Sequence, residues 1–100
     1  MGLLSAIFGQ SKKQDKIIEI LSNEGIIIDV RSIQEFKGGH VKGSKNIPLN
    51  TISGQVEILK KMNKSFVLCC ASGMRSAQAT TILKNAGIDA VNGGSWRSLQ

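Results

Sequence analysis

The residues best suited to chemistry lie in one short run, Cys70-Ala71-Ser72-Gly73-Met74-Arg75-Ser76. Cysteine becomes a strong nucleophile once it loses its proton, which for a free thiol happens near pH ~8.5. Ala71, Ser72 and Gly73 are small, so the backbone can curl and aim successive N–H groups at one point. Such a concavity at the start of a helix binds an anion, and the same donors favour a thiolate over a thiol. Arg75 adds a permanent positive charge with planar donors. A nucleophile, an anion cradle and a cation this close together point to covalent catalysis through sulfur.

Cys69 directly precedes Cys70. Bridging chain neighbours closes a strained ring, so both read as thiols in a reducing compartment rather than as a disulfide. One histidine and no second cysteine pair argue against a structural metal.

The elements that must position this loop can be read from periodicity. Ile17, Ile18 and Leu21 recur at helical spacing before Gly25. Ile26-Ile27-Ile28-Asp29-Val30 is a β-branched run without alternation, as in a strand buried on both faces. Ser32-Ile33-Gln34-Glu35 is a capping-box pattern, predicting a short helix that stops at Gly38-Gly39. Asn46-Ile47-Pro48 suits an edge position. Ile52, Val56, Leu59 and Met62 predict a second helix, and Ser65 to Cys69 a second buried strand. Ala79, Ile82, Leu83 and Ala86 form the stripe of an amphipathic helix closed by Gly87. Ala90-Val91-Asn92 reads as a last short strand before Gly93-Gly94. Strands alternating with helices imply an α/β fold with a mostly parallel sheet. The cysteine loop then falls at the carboxyl end of a strand, where ligands bind in such sheets.

Composition narrows the rest. One hundred residues, 41% of them apolar, make a single domain with its own core. The net charge of +6 is spread along the chain with no basic run longer than two residues, and only Phe8, Phe36, Phe66 and Trp96 are aromatic. That pattern argues against nucleic-acid binding and fits a mild attraction for small anions. Residues 1–12 read as a short apolar lead-in and 13–100 as the domain. The lead-in lacks the basic start of a secretory signal, and Ala6 breaks the myristoylation pattern that Gly2 would begin. No stretch approaches a membrane span, so a cytoplasmic protein is expected.

The sequence resembles the single-domain rhodaneses, a sulfurtransferase family. Asp29-Val30-Arg31, Glu35-Phe36, Gly39-His40-Val41-Lys42-Gly43-Ser44 and Asn46-Ile47-Pro48 resemble its first signature. Cys70 to Ser76 resembles its active-site loop, and Asn92-Gly93-Gly94-Ser95-Trp96 its closing motif. The resemblance implies a rhodanese-like three-layer fold, a central five-stranded parallel sheet flanked by helices. It also implies that Cys70 takes a sulfane sulfur from thiosulfate or a persulfide donor, and passes it to cyanide, a thiol or a partner protein. No metal and no organic cofactor is implied. The substrate-binding residues would be Ala71, Ser72, Gly73, Met74, Arg75 and Ser76, with Arg75 orienting the incoming anion or closing the loop. Asp29 and Arg31 read as a buried pair supporting the loop's neighbours, and His40 as a structural imidazole bonded to backbone. Glu35 reads as the capping-box partner, and Trp96 as an anchor near the active face.

Two positions depart from the family pattern. Many members carry arginine where this chain has Ala71, which makes thiosulfate a weak donor and favours a persulfide. Cys69 stands where many relatives have an apolar or aromatic residue. Counted from Cys70 the spacing is Cys-x4-Arg, the sulfurtransferase loop; counted from Cys69 it is Cys-x5-Arg, the length cysteine phosphatases use. The short-loop count is favoured, because Phe66 to Cys69 complete the strand and no carboxylate follows before Asp89 to act as a general acid. The other readings are a persulfide carrier or docking module, and a phosphatase or arsenate reductase on the same fold.

Overall fold

The computed structural model describes residues 11–100; the first ten positions of the expected lead-in, with Gly2 and Ala6, lie outside the described residues. Helix α1 spans Lys12–Ser22 and is opened by Ser11, whose side chain accepts from the Gln14 N–H. Then come β1 (Ile26–Asp29), α2 (Ile33–Lys37), β2 (Lys45–Asn46), α3 (Leu49–Ile52) and α4 (Val56–Lys61). The chain continues through β3 (Phe66–Cys70), α5 (Met74–Asn85) and β4 (Ala90–Ser95), and closes in a 3-10 turn at Trp96–Leu99.

The sheet is wholly parallel, in the order β2-β1-β3-β4. The resemblance implied five strands; among the described residues there are four. The segment ahead of β1 is helical, as its spacing predicts: a side-chain cap starts it, and Ile17 and Ile20 repeat on one buried face.

Both faces of the sheet are covered, which is why β3 is buried at every position and shows no alternation. On one face Ile17 and Ile20 of α1 pack against Val67 and Val91. On the other, Ile28, Phe66, Leu68 and Ala90 lie beneath Ile52, Leu59, Ala79 and Leu83. Burial of a side chain such as Phe66 contributes about 1.5–3 kcal/mol, so this central strand anchors the domain. Successive strand residues point to opposite faces. Cys69 therefore packs with Val41 and Trp96, whereas Cys70 joins the Leu68 side.

Several boundaries differ from the sequence reading, and β1 stops one residue short of Val30. The helix expected from Ile52 to Met62 is broken by a 3-10 turn at Ser53–Gln55, where Ser and Gly form helix poorly. Strand β3 runs one residue further, through Cys70. Strand β4 continues past Asn92 to Ser95 by way of a bulge: Leu68 pairs with Asn92 and Cys69 with Gly94, leaving Gly93 as the extra residue. A Cβ at Gly93 would lie 2.7 Å from Val67 Cγ1, so only glycine fits there.

Candidate active site

Strand β3 ends at Cys70 and α5 begins at Met74, so the turn between them is Ala71-Ser72-Gly73. Gly73 has φ +102°, and a Cβ there would sit 3.2 Å from Gly94 Cα. Glycine relieves both constraints and lets the turn fold back over the sulfur. The Gly73 N–H donates to Cys70 Sγ at 2.9 Å, the Ser76 N–H lies 3.5 Å from it, and Ser76 Oγ 3.4 Å. Burial pushes the Cys70 thiol up, but the Ser76 hydroxyl with the Ser76, Gly73 and Ser72 amides outweighs it, leaving the pKa below its ordinary value. The positive end of the α5 dipole acts in the same direction. Cys69 goes the other way: burial, followed by the negative charge of Asp29, pushes it up to about 12. Of two chemically identical neighbours, one is set to ionise and the other is held as a thiol.

Cys70 has 0% exposure, although Ala71 and Ser72 beside it are exposed. The sulfur lies beneath the turn, with the Gly73 N–H directly against it. Met74, at 74% exposure, is the large apolar side chain next to this turn.

Arg75 does not face the sulfur as a free cation. Its guanidinium donates to Glu35 through both arms, Nη1 to Oε1 at 2.7 Å and Nη2 to Oε2 at 3.0 Å. Glu35 also closes the capping box of α2. Its Oε1 accepts from the Ser32 N–H at 3.0 Å and from Ser32 Oγ at 3.1 Å, while its own N–H donates to Ser32 Oγ at 3.2 Å. Arg75 first, then Ser32, holds the Glu35 carboxyl at about 2. The pair thus ties the active loop to α2 and matches the loop's one cation.

The other support residues converge beside β1. Arg31 Nε donates to both Asp29 oxygens at 2.9 and 3.0 Å, and Nη2 donates to Asp29 Oδ2 at 2.7 Å and to the Gly39 carbonyl at 2.7 Å. The guanidinium carbon lies 4.6 Å from the Trp96 ring centroid, and Arg97 stands 4.9 Å from the same ring. Asn46 Nδ2 donates to the Asp29 and Arg31 carbonyls, locking β2 to the end of β1. His40 is exposed, with Nδ1 at 2.8 Å from the Phe36 carbonyl and its ring stacked on Phe36.

A cleft of about 310 Å³ runs beside Arg75, walled by Val30, Ser32, Pro48, Leu49 and Asn50. A hollow of about 350 Å³ at the other end of the sheet contains Lys60, Lys64 and Asp89 but no cysteine or histidine. Among the described residues no cluster of His, Cys, Asp and Glu could hold a metal ion, and no helix is long and apolar enough to cross a membrane. The sequence reading missed one participant: Asn92, whose Oδ1 lies 2.6 Å from Ser76 Oγ.

A cysteine at the end of a buried parallel strand, set under a glycine turn at a helix start, is the arrangement of an α/β domain that presents a stabilised thiolate. The family profile for the rhodanese-like domain matches residues 13–96, and the chain belongs to that family. It is similar to the putative sulfur carrier protein YrkF of Bacillus subtilis, at 32% identity over 65% of this chain and 35% of that protein. It is also similar to the tRNA sulfurtransferase of Thermoplasma acidophilum, at 30% identity over 70% of this chain and 14% of that one. A rhodanese-like domain protein from Staphylococcus aureus superposes with a TM-score of 0.67 and 35% identity, covering 74% of this chain and 72% of its own. The chain spans less than two thirds of the length of the curated relatives, 64% in the case of YqhL of Bacillus subtilis. The relatives named thus include one tRNA sulfurtransferase and one putative sulfur carrier.

Proposed function

We propose that the chain is a rhodanese-type sulfurtransferase working through a Cys70 persulfide, with an organic or protein persulfide preferred to thiosulfate as donor. The observation that carries this reading is a sulfur held by neutral donors from Gly73 and Ser76, while the adjacent cation, Arg75, is matched by Glu35. Thiolate attack on the outer sulfur of R–S–SH forms the Cys70–S bond and breaks the donor's S–S bond. The electron pair leaves on R–S⁻. The outer sulfur, carrying partial negative charge, then lies among the N–H groups of the loop, which are oriented in advance. A thiol or protein cysteine attacks that sulfur and restores the Cys70 thiolate; cyanide does the same in an assay. Thiosulfate must release sulfite, a dianion, and Ala71 offers no charge to receive it.

Intact mass after exposure to glutathione hydropersulfide or to thiosulfate tests the reading. Wild type gains one sulfur, faster from the persulfide; Cys70→Ser gains none, and Cys69→Ser behaves as wild type. Loading on Cys69, or equal loading of Cys70→Ser, refutes it. The buried position of Cys70 also suits a carrier that seldom turns over. Persulfide loading without onward release of the sulfur to cyanide or a thiol selects that reading.

A further inference from the structure

Ser76 has one hydroxyl proton and two acceptors within reach: its Oγ lies 2.6 Å from Asn92 Oδ1 and 3.4 Å from Cys70 Sγ. Asn92 decides which way the proton points. Its Nδ2 donates to the Gly73 carbonyl at 3.0 Å, and its Oδ1 accepts from the Gly94 N–H at 3.0 Å. Turning the carboxamide over would set NH₂ against N–H and oxygen against oxygen, so this orientation is fixed by its partners. A carboxamide oxygen carries no proton, so a hydroxyl 2.6 Å away must donate to it. A lone pair of Ser76 Oγ is then left for the sulfur, which suits a protonated thiol and not a thiolate.

We propose that Asn92 is a positioning residue for the Cys70 nucleophile: its carboxamide holds the Ser76 hydroxyl proton while Cys70 is a thiol and yields it to the sulfur when Cys70 ionises. The inference rests on Cys70 as nucleophile and not on the identity of any sulfur donor. In the thiol form the chain of bonds runs from the Cys70 S–H to Ser76 Oγ, and from the Ser76 O–H to Asn92 Oδ1. When Cys70 gives its proton to water, the Ser76 O–H turns to the sulfur and Asn92 Oδ1 keeps only the Gly94 N–H. One proton has two claimants, so a stronger acceptor at position 92 makes Cys70 harder to ionise. The bulge at Gly93 ends the regular pairing at Asn92 and brings Gly94 opposite Cys69.

The charged and titratable neighbours are few. Cys69 on β3 stays protonated, Arg75 on α5 is matched by Glu35 on α2, and Asp29 at the end of β1 is matched by Arg31. His40 is tied to the Phe36 carbonyl, and β4 brings no charged or titratable side chain to the cluster.

The test is the pH dependence of Cys70 alkylation by iodoacetamide, followed by intact mass, which needs no sulfur donor. The variants are Asn92→Ala, Asn92→Asp, Ser76→Ala and the Asn92→Ala/Ser76→Ala pair. Asn92→Ala frees the hydroxyl for the sulfur, so the midpoint falls and alkylation below it quickens by roughly three- to tenfold. Asn92→Asp is an anionic, stronger acceptor; its midpoint rises, and alkylation slows about tenfold at the same pH. With Ser76→Ala in place, Asn92→Ala changes nothing. Asn92→Ala and Asn92→Asp moving the midpoint in the same direction overturn the proposal, because loosening the turn would do that. So does an Asn92→Ala effect that survives in Ser76→Ala. If the Asn92 variants do not fold, the carboxamide ¹⁵N signal of Asn92 serves instead. It must titrate with the Cys70 midpoint in wild type and stay flat in Ser76→Ala; a flat wild-type signal overturns the proposal.

Discussion

Asp29→Asn tests how much the frame of the site depends on one buried charge. Asparagine keeps the volume of the side chain and an oxygen for the Arg31 N–H, which Asp29 Oδ1 accepts at 3.0 Å. It removes the negative charge from a guanidinium whose side chain is 5% exposed and whose partner is fully buried. Breaking such a pair from one side costs about 3–5 kcal/mol, because the remaining charge is left without its counter-ion. The Gly39 carbonyl and the Trp96 face still hold Arg31, which places the cost near the lower end, ~3 kcal/mol. For a domain of this length each kcal/mol shifts Tm by about 4–8 °C, so a drop of roughly 12–24 °C is expected. Glu35→Gln breaks a pair of the same two-armed form, but one whose side chains are 38% exposed. Its expected cost is no more than ~1 kcal/mol. Thermal melts of both variants at pH 7 make the comparison. Adding Arg31→Met to Asp29→Asn should restore part of the loss, since no buried charge then remains. Equal Tm values for Asp29→Asn and Glu35→Gln would show that burial does not decide the cost, and the reasoning would fail.

Other outcomes follow from the same geometry. With the Cys69 pKa at about 12, its thiolate fraction at pH 8 is on the order of one in ten thousand, so iodoacetamide should label Cys70 alone in peptide maps; comparable labelling of Cys69 contradicts this. Glu35 is lowered from 4.5 to about 2, so its contribution to stability is complete above pH 4.5 and is lost as pH falls through about 2. Melts of wild type and Glu35→Gln should therefore converge toward pH 2, and a constant gap refutes the pairing. Gly73→Ala forces a side chain onto φ +102° with its Cβ 3.2 Å from Gly94 Cα, costing about 1–3 kcal/mol and slowing sulfur loading. Gly54→Ala, with open space around it, should leave loading unchanged.

What the sequence showed and what it hid separate by distance along the chain. The capping box at Ser32 and Glu35 was legible because its partners are three residues apart and the chemistry is local. The strand through Phe66 and Leu68 was legible because a parallel strand buried on both faces has no reason to alternate. The Arg75 to Glu35 pair was not, since 40 residues separate its members and each already had a sufficient local role. Asn92 was hidden for the same reason: its neighbour Ser76 is 16 residues away and reaches it only because α5 lies beside β4. The break in the helix after Ile52 was visible in principle at Ser53-Gly54, but the apolar repeat on either side masked it. A fifth strand came from the resemblance and not from any run of residues after position 11.

The pleat that turns Cys69 and Cys70 to opposite faces has a consequence for how sulfur can leave. Many redox proteins unload a modified cysteine internally, through a second thiol that attacks it and closes a disulfide. This chain has two cysteines, and β3 holds the second one behind the sheet, protonated and out of line with its neighbour. A Cys70 persulfide therefore has no resolving thiol of its own and cannot expel hydrogen sulfide by self-reduction. If Cys70 carries sulfur as proposed, the lifetime of the loaded form would be set by encounters with other molecules, a waiting state whose clock is kept by the acceptor.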